Sequence, residues 1–149
     1  MKKWIGMLLA VAMLFALAAC GSQKDDAGSA EGDGLIVNYG TSELYTPSEL
    51  EAAANVIMEQ FDDWGWGTLL SLKYDGDEAN SQENLDWLNQ HDRADPAHPF
   101  TQCVKFVSDF HTNPGADQGA FTADADYTDW QWFLGRSDGG DWVLVDMGY

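Results

Sequence analysis

Cys103, three histidines and a surplus of carboxylates are the residues of this chain whose types could do chemistry. A nucleophilic Cys103 would need a lowered thiol pKa and a base beside it. His98 lies five residues away and His111 eight, which along one strand is roughly 17 and 26 Å. Cys103 therefore reads as a small hydrophobe buried on a strand. His91, His98 and His111 lack the H-x-x-x-H or H-E-x-x-H spacing that sets two imidazoles on one helix face. Each stands in polar, loop-like sequence and is expected to be solvated. Asp75-Gly76-Asp77-Glu78 fails as a calcium loop, because Ala79 and Asn80 stand where a ligand and the obligatory glycine belong. Asp124, Asp126 and Asp129 could offer three oxygen ligands to Ca²⁺ from one loop, but among 25 acidic residues such clusters arise by chance. Paired carboxylates for glycoside cleavage would need about 5–9 Å between them across a cleft, which linear spacing does not supply. No phosphate loop, G-x-S-x-G or dinucleotide fingerprint is present. No catalytic residue, metal ligand or cofactor is assigned.

The aromatics are the other lead. Trp130 and Trp132 share a strand face, Tyr127 begins the same strand, and Trp142 returns beside them on a hairpin partner. Trp64 and Trp66 bracket a glycine-rich turn, which favours partial exposure. Facing solvent, such rings could stack on sugars or on a partner's apolar side chains; facing inward, they would pack beneath a helix.

The charge narrows the partners. Seven basic residues against 25 acidic ones, a net −18, cannot supply the basic surface that a phosphate backbone requires, so nucleic acid is excluded. One domain is expected from 149 residues, and seven Trp, seven Phe and five Tyr demand a packed core.

The first twenty residues are a targeting segment. Met1-Lys2-Lys3 is a positive start, and Trp4 to Ala19 is uncharged but short for a permanent membrane span. Leu17-Ala18-Ala19-Cys20 resembles the bacterial lipoprotein signal. That resemblance implies a diacylglyceryl group on the Cys20 sulfur, cleavage before Cys20, and a membrane partner through two acyl chains, enough for stable anchoring. Cleavage would remove Lys2 and Lys3 and no acid, and would leave Cys103 without a disulfide partner. Residues 20–34 then form the lipidated cysteine and a flexible tether: Gly21 to Gly34 holds no large apolar residue that could repay its ordering. Its reach is about 20 Å. The folded domain is placed at 35–149.

Within it, Thr46-Pro47-Ser48-Glu49 is a capping box with proline at the first helical position. Leu50, Ala53, Ala54, Ile57, Met58 and Phe61 follow at helical spacing, and Asp62-Asp63-Trp64-Gly65 ends the helix. Strands are expected at Thr68–Tyr74 (Leu70, Leu72 and Tyr74 on one face), Phe100–Phe110, Tyr127–Arg136 and Trp142–Tyr149, with a short helix after Ser81 and a short extra strand at Ile36–Asn38. Asp138-Gly139-Gly140 is a hairpin signal. The fold class is α+β: one long amphipathic helix and a short second helix on a mostly antiparallel sheet of about four strands. That order is compatible with an NTF2-like roll or a cystatin-like wrap.

Tyr127-Thr128-Asp129-Trp130-Gln131-Trp132, then Arg136-Ser137-Asp138-Gly139-Gly140-Asp141-Trp142 and a terminal Met147-Gly148-Tyr149, resemble a family of small Gram-positive lipoproteins catalogued as a domain of unknown function. The likeness extends from Glu43-Leu44-Tyr45-Thr46 to the end, and Gly65-Trp66-Gly67 stands where relatives often have Gly-Cys. It implies a lipid-anchored α+β domain and brings no catalytic residues with it. The expected function is non-enzymatic binding of an envelope protein or small molecule at the cell surface, in a pocket between helix and sheet lined by Trp and Tyr. The competing expectations are a carboxylate-dependent enzyme acting on envelope polymers and a structural or immunity-type surface lipoprotein.

Overall fold

A computed structural model describes residues 29–32, 34–115 and 121–149. The segment expected as a signal peptide, Cys20 and most of the expected tether lie outside the described residues.

The long helix forms where its cap predicts. Helix α1 (Pro47–Trp64) starts on Thr46, whose Oγ1 accepts from Glu49 N–H while the Glu49 carboxylate accepts from Thr46 N–H at 2.9 Å. Two of the helix's orphan donors are satisfied this way. Gly65, left-handed at φ 66°, ends it. Leu50, Ala53, Ala54, Ile57 and Phe61 are buried and form the stripe that packs on the sheet.

The architecture is α+β, and the sheet is larger than expected. Six strands run in sequence order: β1 (Ser29–Gly32), β2 (Leu35–Asn38), β3 (Gly67–Tyr74), β4 (Gln102–Thr112), β5 (Asp126–Arg136) and β6 (Val143–Gly148). Neighbours are antiparallel except β2 and β3, which α1 connects as a parallel pair. Strand β2 contains the short strand expected at Ile36–Asn38, but its partner lies beyond an entire helix, so the parallel pairing is not a local property of the sequence. Strand β1 occupies four residues of the stretch expected as tether; its ladder with β2 needs only backbone groups.

Two of the sheet's three β-bulges, those on either side of β4, shift faces that alternation alone would assign; the third lies between β5 and β6 at Val145. Between Leu69 and Ser71 one extra residue is inserted against β4, so Leu69 packs on the core and Leu70 is 42% exposed. The expected Leu70–Leu72–Tyr74 face is thus corrected to Leu69, Leu72 and Tyr74, because a bulge resets the period of two. The second bulge lies where Ser108 pairs with Trp130 and Phe110 with Tyr127; Asp129, at φ 58°, is in the inserted turn of chain. Asp109 ties both bulges together. Its Oδ2 accepts from Ser71 Oγ–H, its Oδ1 accepts from Asp129 N–H, and its own N–H donates to Ser71 Oγ.

The core has two parts, one on each sheet face. Beneath α1 lie Leu72, Tyr74, Val104, Phe106, Phe110, Trp132, Leu134, Trp142 and Leu144. On the opposite face, helix α2 (Gln82–Leu88) and the chain that follows it cover Cys103 and Val145 with Leu88 and Phe100. Gly135 permits that second contact: a Cβ there would meet the Phe100 ring at 2.6–2.9 Å.

Arg136 joins α1 to the sheet. Its guanidinium pairs with Glu49, donates to Gln102 Oε1 and lies 4.4 Å over the Trp142 ring. The hydrogen bond from Arg136, with those from Thr46, holds the Glu49 carboxyl well below its ordinary 4.5, at about 2. This contribution to stability is complete above pH 4.5 and is lost as pH falls toward 2. Glu49 is one-third exposed, so solvent screening trims the effect. Glu49→Gln is therefore expected to flatten the acid limb of a pH series of thermal melts between those limits. Parallel limbs for parent and variant would show that the pair contributes nothing to folding.

Candidate functional site

The six aromatics singled out above separate into three sets. Trp64, Trp66 and Trp132 stack in series, with Trp64 5.0 Å from Trp66 and 5.5 Å from Trp132 at interplanar angles of 14° and 27°. Trp132 is fully buried, and its Nε1–H donates to Ser108 Oγ at 2.8 Å. Trp66 is buried too, against the expectation of partial exposure, because Phe121 stacks on it at 4.5 Å. Trp64 remains half-buried and lines a small cleft of about 170 Å³ with Gln60, Arg93 and the edge of β6. Tyr127 and Trp130 are half-buried against Phe110, and the Trp130 Nε1–H finds no acceptor among the described residues. Trp142 is not beside them. It is buried at the other end of α1, 5.7 Å from Tyr45, donating to the Glu49 carbonyl oxygen. The hairpin register is the reason: Gly135 pairs with Val143 and Trp132 with Met147, so Trp142 lies at the turn end of the ladder, several residues from Trp132.

A different set of rings lines an open cleft of about 360 Å³ on the face away from α1. Its walls are Trp87 from α2, Phe133 from β5 and Tyr149 at the chain end, with Met147 beside them. Trp87 meets Phe133 edge-on at 5.0 Å, and the Lys105 ammonium lies 5.8 Å over the Phe133 ring. Tyr149 is 76% exposed and packs on Trp130 at 5.0 Å. Three polar groups enter the same space: the amides of Asn84 and Gln131 and the Asp146 carboxylate. Phe133 and Asp146 are direct cross-strand partners, and so are Gln131 and Gly148. Rings with a few convergent polar groups are the usual composition of a small-ligand site. Sequence reading passed over these residues because Trp87 sits beside, not on, the Leu85–Leu88 stripe. The available signal was the other parity of β5: Gln131 and Phe133 alternate with Trp130, Trp132 and Leu134, so they had to face away from the long helix.

The other chemical candidates have structural partners. Burial pushes the Cys103 thiol up to about 12, the reverse of what a nucleophile needs. His98 pairs with Asp95 at the surface, and His91 packs edge-on against Trp87. His111 lies between Asp126 at 2.7 Å and Asp124 at 3.3 Å, and the Asp126 contact raises its pKa. Two of the three aspartates weighed as calcium ligands thus face an imidazole, while Asp129 sits in the β5 bulge. Among the described residues no three His, Cys, Asp or Glu are arranged to hold a metal ion. In the other acidic cluster, Asp75 pairs with Lys105, and Asp77 accepts from Ser42, from Glu43 N–H and from the Tyr74 hydroxyl.

No family model matches this chain, and neither does any curated protein or solved structure. The likeness of its C-terminal motifs to a lipoprotein family stands on the residues quoted for it alone.

Proposed function

We propose that this protein is a lipid-anchored, extracytoplasmic binding domain whose ligand occupies the cleft between α2 and strands β5 and β6. The observation that carries the reading is the cleft's lining of Trp87, Phe133 and Tyr149 around Asn84, Gln131 and Asp146. Binding is favoured over carboxylate-dependent hydrolysis because Asp146 is the one acidic side chain among those lining residues, and a hydrolytic pair needs two. The placement outside the cell rests on the lipobox-like Leu17-Ala18-Ala19-Cys20. The single long helix on one face of a bulged sheet supports an NTF2-like or cystatin-like layout, a likeness that carries no function by itself.

Two experiments test the parts separately. Cys20→Ser should abolish metabolic lipid labelling and leave unprocessed precursor; unchanged labelling would overturn the anchor. Trp87→Ala removes a half-buried wall of the cleft and should reduce co-sedimentation with purified envelope from the same cells by about tenfold or more, a loss within what truncating a central aromatic contact costs. Envelope binding equal to that of the parent would overturn the cleft as the site.

A further inference from the structure

Resting on the reading that the α2 cleft holds the ligand, we propose that the ligand is a neutral linear glycan that continues out of the cleft and crosses the strands into a second cavity. That cavity, of about 180 Å³, is lined by Ser71, Lys73, Asp75, Val107, Asp109 and Asp129. The two cavities share one sheet face and meet in the register. Lys73 pairs with Val107, Val107 with Gln131, and Gln131 with Gly148, a continuous cross-strand row that starts in the second cavity and ends in the first. At nearly 5 Å per strand, Lys73 and Gln131 are about 10 Å apart. Helix α2 covers this face only toward Cys103, Phe133 and Val145, which leaves Val107 half-exposed in the middle of the row.

The chemistry along the row changes in a direction that suits a sugar chain. At the α2 end, ring faces carry partial negative charge and attract the C–H face of a pyranose, while amides and a carboxylate can take its rim of hydroxyls. Val107 offers a flat apolar step. At the far end, the Asp109 carboxylate is held in place by Ser71 and by the Asp129 N–H, and its remaining lone pairs are fixed acceptors for hydroxyl donors. Charge selects against anionic polymers. Lys73 faces Asp75, Asp109 and Asp129 in one cavity, the other holds Asp146, and Lys105 is already paired with Asp75. Like-charge juxtaposition of this kind rejects phosphate-rich or acidic chains.

A peptide fits this face less well. Strands β3, β4 and β5 are paired on both sides, so their backbone groups are committed to the ladder. A peptide lying across them would bury amide groups without partners, whereas a glycan carries hydroxyls that side chains can satisfy.

The test titrates the full chain in detergent micelles with neutral hexasaccharides (β-1,4-linked glucose, β-1,4-linked N-acetylglucosamine and α-1,4-linked glucose) and with the matching disaccharides, read by calorimetry and by NMR shifts. At least one hexasaccharide should bind about tenfold or more tightly than its disaccharide, because linked subsites add avidity. The disaccharide should shift the Trp87 indole and Phe133 signals; the hexasaccharide should also shift the Val107 methyls and the Ser71 amide. Val107→Arg, which fills the step, should reduce the hexasaccharide to disaccharide affinity and leave the disaccharide unchanged. Equal affinities with shifts confined to Trp87 and Phe133 would overturn the continuous groove and leave the cleft reading standing. Binding of no saccharide, with envelope capture still dependent on Trp87, would overturn the glycan and again spare the cleft. Binding of no saccharide, with envelope capture indifferent to Trp87, would overturn both.

Discussion

Trp132→Ala is expected to lower the unfolding free energy by about 3–5 kcal/mol, a large share of the stability of a domain this size. Trp132 is fully buried at the centre of the α1 face, with Phe61 at 6.4 Å and Trp64 stacked at 5.5 Å. Truncation would open a cavity that neither neighbour can fill, because Phe61 is held by Trp66 and Phe110 as well. It would also orphan the Ser108 hydroxyl, 1% exposed, to which the indole donates. A buried hydroxyl without a partner adds about 1–3 kcal/mol of its own. The measurement is a urea titration: the midpoint should fall sharply while the slope stays constant. Trp132→Phe, which keeps most of the ring volume and loses the hydrogen bond, should fall between parent and alanine variant. A loss below about 1 kcal/mol for Trp132→Ala would mean that the aromatic stack under α1 is not the centre of the core.

Removal of residues 143–149 should have a still larger effect. Strand β6 contributes to both cores at once: Leu144 packs beneath α1, while Val143 and Val145 pack on the α2 face with Phe100 and Cys103. Its ladder with β5 runs from Gly135–Val143 to Gln131–Gly148. Without it, Trp132 and Leu134 would lie on an edge strand, with apolar surface open to water on both faces. The truncated chain is expected to bind a hydrophobic dye and to melt without a cooperative transition. Removal of Tyr149 alone, which is 76% exposed, should leave the melt cooperative and provides the control. Cooperative melting of the truncated chain within a few degrees of the parent would make β6 peripheral and contradict the two-sided core.

Much of this architecture was legible residue by residue where the cause is local. The Thr46-Pro47-Ser48-Glu49 cap, the stripe from Leu50 to Phe61 and the Gly65 stop define α1 within their own turn of chain. The Asp138-Gly139-Gly140 turn joins β5 to β6 as its glycines predict, with Gly139 at φ 66° and Gly140 N–H donating to Ser137 O at 2.9 Å. Burial of Cys103 follows from its place in an apolar strand. Leu70 was misassigned because a bulge is a relation between two strands, and only β4 shows that β3 carries a residue too many.

The candidate site divides along the same line. Composition and spacing alone determine both helices, five of the six strands, the shortage of basic residues and the aromatic character of the core. Each follows from short-range periodicity or from summed charge, which require no knowledge of partners. Tertiary structure alone decided which aromatics become core and which become walls. Trp132 and Phe133 are chain neighbours of similar chemistry, yet one lies sealed under α1 and the other opens into the α2 cleft. A strand presents alternate residues to opposite faces, and which face is sealed depends on where the helices land. Helix α1 covers its whole stripe, whereas α2, only Gln82–Leu88, is too short to cover the other face, and the uncovered remainder holds the cleft and the row that leads from it.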